Sequence, residues 1–389
     1  MFKILGKVCI AVTVCSGLTA CFKDEPLNAE CDIEKAWVHY DNPEECTWNL
    51  SDTIIEKVYT AETELTFKVK PGTDRSSLAP QFVVTDGSTL SPASGSVRDF
   101  SNGSLEYIVT SQDGDWRRVY KVAVIEERRT VRDIIEFDFE NCFLEKDKYY
   151  KWFEFREDGT QNNDCWATGN GGFAFTAGKA PASAYPSVSV KDGYDGACAK
   201  LETKSTGIFG AAAGMRIAAG NLFLGSFDAS KAMKGQNEAL LSTKFGVSFD
   251  KKPIKFIGYY KYKPGPNFQY KDGTVDPNRQ DEGSIYAILY KRHYDEDGNE
   301  IMLNGGNVQT DEHIVAKAIL PEVRPTDEWT RFEVDFDYYG ADIDLDLLNS
   351  FGYNLAVVFS SSKDGAYFNG AIGSTLYIDK VSVICEKSK

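Results

Sequence analysis

Histidine, methionine and basic side chains are scarce in this sequence. Among 389 residues there are 3 His and 4 Met, and 43 Lys and Arg stand against 58 Asp and Glu. The net charge of −15 does not provide the basic surface that contacts a phosphate backbone, so nucleic acid is excluded as a partner. The three histidines, His39, His293 and His313, lie far apart in the chain, which argues against a histidine metal site.

No stretch of 18 apolar residues occurs, so no segment predicts a membrane-spanning helix. Residues 8–20 form an apolar run of 13 that follows Lys3 and Lys7, as in a signal peptide of residues 1–20. The run ends in Leu18-Thr19-Ala20-Cys21, which resembles the lipobox of bacterial lipoproteins. The resemblance implies that Cys21 carries lipid and that the mature chain is anchored to a membrane without spanning it.

The residues after Cys21 indicate the destination of the chain. Phe22-Lys23-Asp24-Glu25 has no Asp directly beside the lipid-bearing cysteine. Its acidic pair resembles the surface-export signal on lipoproteins of glycan-foraging gut bacteria. The resemblance implies an outer-membrane lipoprotein exposed at the cell surface.

Six further cysteines fall in the exported part of the chain, where disulfides can form. Cys31 and Cys46 are close enough in sequence to close a small loop. The remaining four allow three pairings, and the sequence does not choose among them. These four are Cys142, Cys165, Cys198 and Cys385.

Strand signals divide the chain into two parts. Residues 31–127, after a tether of residues 21–30, alternate apolar and polar side chains between turn signals such as Pro71-Gly72. This part resembles the immunoglobulin-like modules of many such lipoproteins, which implies a β-sandwich that acts as a spacer. Residues 134–386 continue the strand pattern, and only residues 232–241 and 344–349 favour helices.

Six sequence blocks characterise the second part. They are FDFEN (137–141), CWATGNGGFAFT (165–176), IAAGNLFLGSF (217–227), FIGYYKYKPG (256–265), DEGSIYAILY (281–290) and VFSSSKDGAYFNGAIGSTLYIDKVSV (358–383). Together they resemble the putative carbohydrate metabolism domain of gut bacterial surface lipoproteins, which is similar to β-jelly-roll carbohydrate-binding modules. The resemblance implies an all-β chain, in which an immunoglobulin-like sandwich precedes a larger β-jelly-roll sandwich.

Binding a sugar requires flat apolar rings for its C–H faces and polar groups for its hydroxyls. Strand alternation separates a core face from an opposite face in residues 254–263, and again in residues 284–292. Other rings occur in an aromatic cluster, in a Gly-rich stretch and in the long loop 264–283, although each ring could instead fill the core. The predicted sugar contacts are Tyr259 and Lys261 on the first strand, Tyr286, Tyr290 and Arg292 on the second, and Trp152, Trp166 and Tyr270 in the other segments.

Jelly-roll carbohydrate modules often hold a structural calcium ion near their first and last strands, so the resemblance makes a calcium site a candidate here. Asp379 shares a strand face with Val381 and Val383, which predicts that it is buried and either paired or metal-bound. Glu140 is the candidate second ligand. A hydrogen-bonded carboxylate without metal is the alternative.

These observations favour a surface lipoprotein that binds poly- or oligosaccharide and works beside other surface glycan-uptake proteins. A glycoside hydrolase is the first alternative, but it needs two carboxylates about 5–9.5 Å apart, and no pair stands out among the 58 acids. A structural or adhesion component of a surface assembly is the second alternative. It predicts an exposed apolar patch or an open strand edge.

Overall fold

The computed structural model describes residues 27–60, 62–232 and 234–387. The predicted signal peptide and Cys21, the predicted site of lipid attachment, lie outside these ranges. Within them the fold is all-β, as predicted, with a few short helices. No helix in the described residues is both long enough and apolar enough to cross a bilayer.

The first part of the chain forms two sheets around one core. One sheet has the order β2-β1-β4 and the other the order β3-β7-β6-β5, in which β3 and β7 run parallel. Ile33 and Phe82 from the first sheet meet Phe67 and Val122 from the second. The strands are β1 (Ile33–Trp37), β2 (Ile54–Ile55), β3 (Glu64–Val69), β4 (Gln81–Val84), β5 (Thr89–Ser91), β6 (Leu105–Thr110) and β7 (Arg117–Glu126).

The second part of the chain contains the longer strands. Those that build its two large sheets are paired antiparallel throughout. The strands are β8 (Ile134–Phe137), β9 (Cys142–Glu145), β10 (Tyr149–Trp152), β11 (Glu154–Phe155), β12 (Gln161–Asn162), β13 (Trp166–Ala167), β14 (Ser187–Val190), β15 (Cys198–Glu202), β16 (Lys204–Ser205), β17 (Ile217–Ala218), β18 (Asn221–Phe227), β19 (Thr243–Phe245), β20 (Val247–Phe249), β21 (Pro253–Lys263), β22 (Phe268–Gln269), β23 (Val275–Asp276), β24 (Ser284–Lys291), β25 (Ile314–Ile319), β26 (Thr326–Asp335), β27 (Tyr353–Ser360), β28 (Gly370–Ala371) and β29 (Thr375–Cys385).

Two large sheets enclose the main core of this part. The six-stranded sheet has the order β14-β15-β29-β21-β26, with β8 also paired to β29. The seven-stranded sheet has the order β13-β18-β27-β24-β25, with β19 and β20 paired to β18 and β27. Phe256 and Ile378 from the six-stranded sheet pack against Leu289 and Phe359 from the seven-stranded sheet. The second part is therefore a β-sandwich as well.

The two sheets differ in what covers their outer faces. The outer face of the six-stranded sheet is open. The predicted alternation of core-facing and outward-facing side chains in β21 is confirmed: Phe256, Tyr260 and Tyr262 are buried, whereas Tyr259 and Lys261 are half-buried. The outer face of the seven-stranded sheet carries a second apolar cluster, to which the loop 303–310 contributes. Short helices lie beside this covered face.

The helices are short, and the described residues at 236–240 and 345–349 confirm the two predicted segments. The remaining helices of the second part were not anticipated from the sequence. The α-helices are α1 (Pro43–Cys46), α2 (Asn170–Ala177), α3 (Gly207–Ala212), α4 (Ala229–Ala232), α5 (Gln236–Leu240) and α6 (Leu345–Asn349), and the 3₁₀ helices are Leu50–Thr53, Ala182–Ala184 and Gly365–Tyr367.

The two sandwiches contact one another directly. Trp48 packs on Phe351 with ring centroids 5.6 Å apart. Lys68 Nζ donates to Ser248 Oγ at 3.0 Å. The buried guanidinium of Arg292 also reaches the first sandwich.

The six cysteines in the described residues are all free thiols. The loop closed by Cys31 and Cys46 is therefore not formed in this structure, and neither is any pairing of the other four. Burial raises the pKa of the Cys165 thiol and of the Cys385 thiol to about 12. High thiol pKa values of this kind mark unreactive structural cysteines.

Candidate functional site

A cavity of about 380 Å³ lies on the outer face of the seven-stranded sheet. Its floor consists of side chains that point away from the main core: Phe223 of β18, Phe245 of β19, Tyr286 of β24 and Val358 of β27. Ligand sites typically measure about 300–1000 Å³ and combine an apolar lining with a few polar groups. The cavity meets both conditions.

Small residues form part of the cavity walls. Gly172 of α2 lines the cavity, and a Cβ there would lie 3.1 Å from Cβ of Ala232 in α4. Glycine thus lets these two helices approach one another. Gly305 and Gly306 line the cavity from the loop 303–310.

Aromatic rings line part of the cavity. Phe173 of α2 lines the cavity, and so do Tyr367 and Phe368 at the end of the last 3₁₀ helix. Tyr367 is 42% exposed. Phe209 of α3 is 82% exposed, and Gly210 of the same helix lines the cavity. Open ring faces of this kind suit the C–H face of a sugar.

Polar side chains complete the lining. Asn221 and Ser360 lie at one end of their strands, and Gln309 hydrogen-bonds the hydroxyl of Tyr286. Burial raises the pKa of the Tyr286 phenol, so it stays protonated and acts as a neutral partner. Of the eight predicted sugar contacts, Tyr286 is the one that lines this cavity.

A buried carboxylate holds the wall formed by residues 362–371. Asp281 Oδ2 accepts hydrogen bonds from Ser362 Oγ at 2.6 Å, Ser374 Oγ at 2.6 Å and Ala371 N at 2.7 Å. Burial raises the pKa of Asp281, although these hydrogen bonds oppose that rise. Ser362 is itself a lining residue, so the network positions the cavity wall.

The cavity contains few acidic groups. Among the described residues that line it, Asp364 is the one carboxylate, and it pairs with Arg279 from the loop 264–283. Glycosidases use two carboxylates that flank the cleaved bond. This lining therefore lacks the pair that hydrolysis requires.

Four predicted sugar contacts are corrected by the structure, because their side chains are buried and none of them lines the cavity. Trp152 and Trp166 are both 1% exposed and belong to the main core. Tyr290 is fully buried, and its hydroxyl donates to the Phe245 carbonyl at 2.6 Å. Arg292 is buried in a salt bridge with Glu300.

The burial of Trp166 involves a carboxylate whose ionisation opposes folding. Trp166 Nε1 donates to Glu154 Oε1 at 2.9 Å, and burial raises the pKa of Glu154 from 4.5 to about 7. Because the folded-state pKa lies above the unfolded value, the protonated group favours the folded state at low pH. This contribution is lost as the pH rises from about 4.5 to about 7.

We expect Glu154→Gln to be more stable than the wild type at pH 8, by about 2–3 kcal/mol, and close to it at pH 4.5. Glutamine keeps an acceptor for Trp166 and cannot ionise. Urea unfolding of both proteins at the two pH values measures the difference. Glu322→Gln, at an exposed ion pair, is the control. If the difference in unfolding free energy between Glu154→Gln and the wild type did not change with pH, it would contradict the raised pKa of Glu154.

Tyr259 and Lys261 lie on the open face of the six-stranded sheet, as predicted. Tyr259 stacks on Tyr194 with ring centroids 3.8 Å apart and an interplanar angle of 11°. Lys261 Nζ lies 4.9 Å from the ring centroid of Trp329. These four residues form an aromatic patch on the sheet opposite the cavity.

Tyr270 lies in the long loop 264–283, which is an ordered structure. Strand β22 of this loop pairs with β23 and with β28, next to the cavity wall. The Tyr270 hydroxyl donates to Asp276 Oδ2 at 3.1 Å, and its ring meets Phe268 edge to face. Tyr270 supports the loop and is not among the cavity-lining residues.

Glu140 and Asp379 do not fit a calcium site. Glu140 Oε1 accepts from Ala197 N at 2.8 Å, and Asp379 accepts from Asp195 N and Lys380 N at 3.1 and 2.7 Å. Neither belongs to a cluster of three or more ligand-type side chains in the described residues. Backbone N–H groups already bind oxygens of both carboxylates. These carboxylates match the hydrogen-bonded alternative.

Two of the three histidines are in contact, contrary to what their spacing along the chain suggests. His293 and His313 are far apart in sequence, yet their rings stack with centroids 3.6 Å apart. Distance along the chain sets no limit on spatial contact when two neighbouring strands bring their ends together.

Sequence reasoning did not find most of the lining residues. Phe173 and Gly172 belong to the block at 165–176, and Tyr367 and Phe368 to the block at 358–383. Both blocks combine glycine with aromatic residues outside the long strands. Glycine combined with aromatic residues was thus the sequence signal for this site. It led only to the prediction of Trp166 as a sugar contact.

Comparison with known proteins gives the same domain pattern. The family model described as Putative carbohydrate metabolism domain matches residues 138–384. The chain belongs to this family. A second model, described as SGBP, N-terminal, matches residues 46–124 and indicates a surface glycan-binding type of N-terminal domain. The protein therefore has a glycan-related function.

Two solved structures are similar to this chain. One is the crystal structure of a putative glycoside hydrolase from Bacteroides thetaiotaomicron, at 38% identity over 94% of this chain and 100% of that chain, with a TM-score of 0.78. The other is the crystal structure of a putative glycoside hydrolase from Bacteroides vulgatus, at 41% identity over 64% of this chain and 98% of that chain, with a TM-score of 0.58. A search of curated proteins found no match.

Proposed function

We propose that this member of the family is a surface lipoprotein that binds glycan in the cavity over the seven-stranded sheet, without cleaving it. The observation that carries the proposal is the ring-lined cavity in which Asp364, paired with Arg279, is the one carboxylate among the described lining residues. Tyr286 and Phe173 supply apolar faces, and Asn221 and Gln309 supply hydrogen-bonding groups for sugar hydroxyls. Such a site binds mainly by stacking, so moderate affinity is expected.

The aromatic patch of Tyr194, Tyr259, Lys261 and Trp329 is proposed as a second contact for long glycans. It lies on the opposite sheet, so a short oligosaccharide in the cavity does not reach it. Two contacts on one polymer raise the overall affinity through effective concentration. The patch is therefore expected to matter for polysaccharides and not for short sugars.

The lipid anchor completes the proposed role. Acylation at Cys21 would hold the chain at the outer membrane, and the first sandwich would lift the second from its surface toward glycan and other uptake proteins. Labelling cells with a radioactive fatty acid tests the anchor: the wild type should incorporate it and Cys21→Ser should not. Labelling of both proteins would place the lipid elsewhere.

A glycan array, run beside a reducing-sugar release assay on every polysaccharide that binds, separates binding from hydrolysis. We expect retention of at least one glycan class without release of reducing ends. Release that disappears in Asp364→Asn would instead support a hydrolase. This experiment uses protein that begins after the predicted signal peptide.

One observation favours the structural or adhesion alternative. Ile208 and Phe209 of α3 are 85% and 82% exposed and form an apolar surface on one short helix. If no glycan is retained on the array, this surface becomes the better indication of function, as a contact for another protein.

A further inference from the structure

The stacked histidines of the larger sandwich form a compact group of metal-binding side chains. The rings of His293 and His313 are parallel to within 2°, and their centroids lie 3.6 Å apart. One donor atom from each of His293, Asp311 and His313 lies within 4.8 Å of the others. None of the three residues lines the cavity or belongs to the aromatic patch.

The topology of the seven-stranded sheet creates this group. His293 lies two residues after the end of β24, and His313 directly precedes β25, the antiparallel neighbour of β24. Lys291 N donates to the His313 carbonyl at 2.9 Å, which fixes the two segments against each other. The backbone thus holds both imidazoles at one end of the hairpin.

Asp311 orients the ring of His313. Its Oδ1 accepts from His313 Nδ1 at 2.9 Å and from the His313 backbone N at 3.0 Å, and its Oδ2 accepts from Asn307 Nδ2 at 2.8 Å. Because a carboxylate accepts hydrogen bonds, Nδ1 of His313 is the donor in this contact, and in the neutral ring Nε2 then presents a lone pair. Carboxylate–histidine pairs of this kind position imidazole ligands in metal sites.

The second imidazole has an unsatisfied nitrogen. His293 Nδ1 is buried and has no hydrogen-bond partner among the described residues. Leaving a buried polar atom unpaired costs free energy, and such atoms are rare in folded proteins. In the tautomer protonated at Nε2, His293 Nδ1 presents a lone pair that a bound cation would satisfy.

We propose that His293 and His313 bind one divalent transition-metal ion, of the Zn²⁺, Ni²⁺ and Cu²⁺ class, and that Asp311 is a positioning residue. Imidazole nitrogen is a preferred ligand of these ions, with metal–nitrogen distances of about 2.0–2.1 Å for zinc. The rings tilt out of their parallel stack so that both lone pairs converge on the ion, and water fills the remaining positions. The inference does not depend on glycan binding.

Calorimetric titration of untagged, chelator-treated protein with ZnCl₂, NiCl₂ and CuCl₂ tests the proposal. We expect one ion per chain, and affinity lower by about tenfold or more in His293→Gln and in His313→Gln. Asp311→Ala should weaken binding by about tenfold through the lost orientation of His313. His39→Ala removes the histidine of the first sandwich, which lies near Asp41, and should bind as the wild type does.

Spectroscopy of the copper-loaded protein distinguishes metal binding by the two histidines from a purely structural role of their side chains. The electron paramagnetic resonance spectrum of this protein should show coupling to two imidazole nitrogens, and to one in each glutamine variant. Near-ultraviolet circular dichroism of the variants checks that they fold. Stoichiometric binding that survives both glutamine substitutions, or no binding of any of the three ions below about 1 mM, would overturn the site.

Discussion

Replacing Arg292 with alanine is expected to lower the free energy of unfolding by about 3–5 kcal/mol. Nε and Nη2 of Arg292 donate to the two oxygens of Glu300 at 2.8 and 2.7 Å, and Nη2 lies 3.6 Å from Asp52 of the first sandwich. Arg292 and Asp52 are 8% and 7% exposed. The substitution therefore leaves buried negative charge without its partner, at the contact between the two sandwiches.

Urea unfolding monitored by tryptophan fluorescence measures this loss. Arg324→Ala provides the control, because Arg324 pairs with Glu322 at the surface and should cost less than about 1 kcal/mol. Arg292→Ala should still bind glycan if it is folded, since Arg292 does not line the cavity. A cost no larger than that of the surface control would show that the interdomain ion pair is not formed in solution.

Replacing Gly306 with tryptophan is expected to weaken glycan binding more than tenfold, a loss of about 1.4 kcal/mol or more. Gly306 lines the cavity, and a Cβ at this position would lie 3.3 Å from Asn304 Oδ1 and 3.8 Å from Leu240 Cδ1. The contact with Asn304 Oδ1 is tight, so this side chain must shift by a few tenths of an ångström to admit the Cβ, and the indole then takes up space that the sugar needs. Calorimetric titration with the oligosaccharide selected on the array measures the loss.

Two further variants make this result specific. Ser104→Trp adds the same ring to an exposed turn of the first sandwich and should leave binding unchanged. Tyr259→Ala should leave binding of the short oligosaccharide unchanged and lower the apparent affinity for the polysaccharide. Wild-type affinity in Gly306→Trp would exclude the cavity as the sugar site, whereas equal losses in Gly306→Trp and Tyr259→Ala would point to an indirect effect on folding.

The sequence predicts strand faces well where one side of a sheet is open. In β21 the alternation separates buried Phe256 and Tyr260 from half-buried Tyr259, because solvent lies on one side and the core on the other. In β24 the same rule correctly places Tyr286 and Tyr290 opposite the main core. The alternation does not reveal the helices and the loop that cover this second face. It therefore predicts exposure for rings on this face that are buried in the structure.

The candidate site itself is assembled from distant segments. Phe173, Gly306 and Tyr367 come from a helix, a loop and a 3₁₀ helix that are far apart in sequence. No local pattern encodes their common position over the seven-stranded sheet. The same holds for Trp166, whose glycine-rich surroundings suggested a surface loop, although Trp166 lies on β13 and packs edge to face on Phe137.

The most direct measurement of the central claim is a crystal structure of the protein with its best-binding oligosaccharide. We predict electron density for the sugar between Phe173, Gly306 and Tyr367, with a pyranose ring against an aromatic side chain and both ends of the oligosaccharide intact. Density for the sugar at Tyr259 alone, with the cavity free of sugar, would contradict the account.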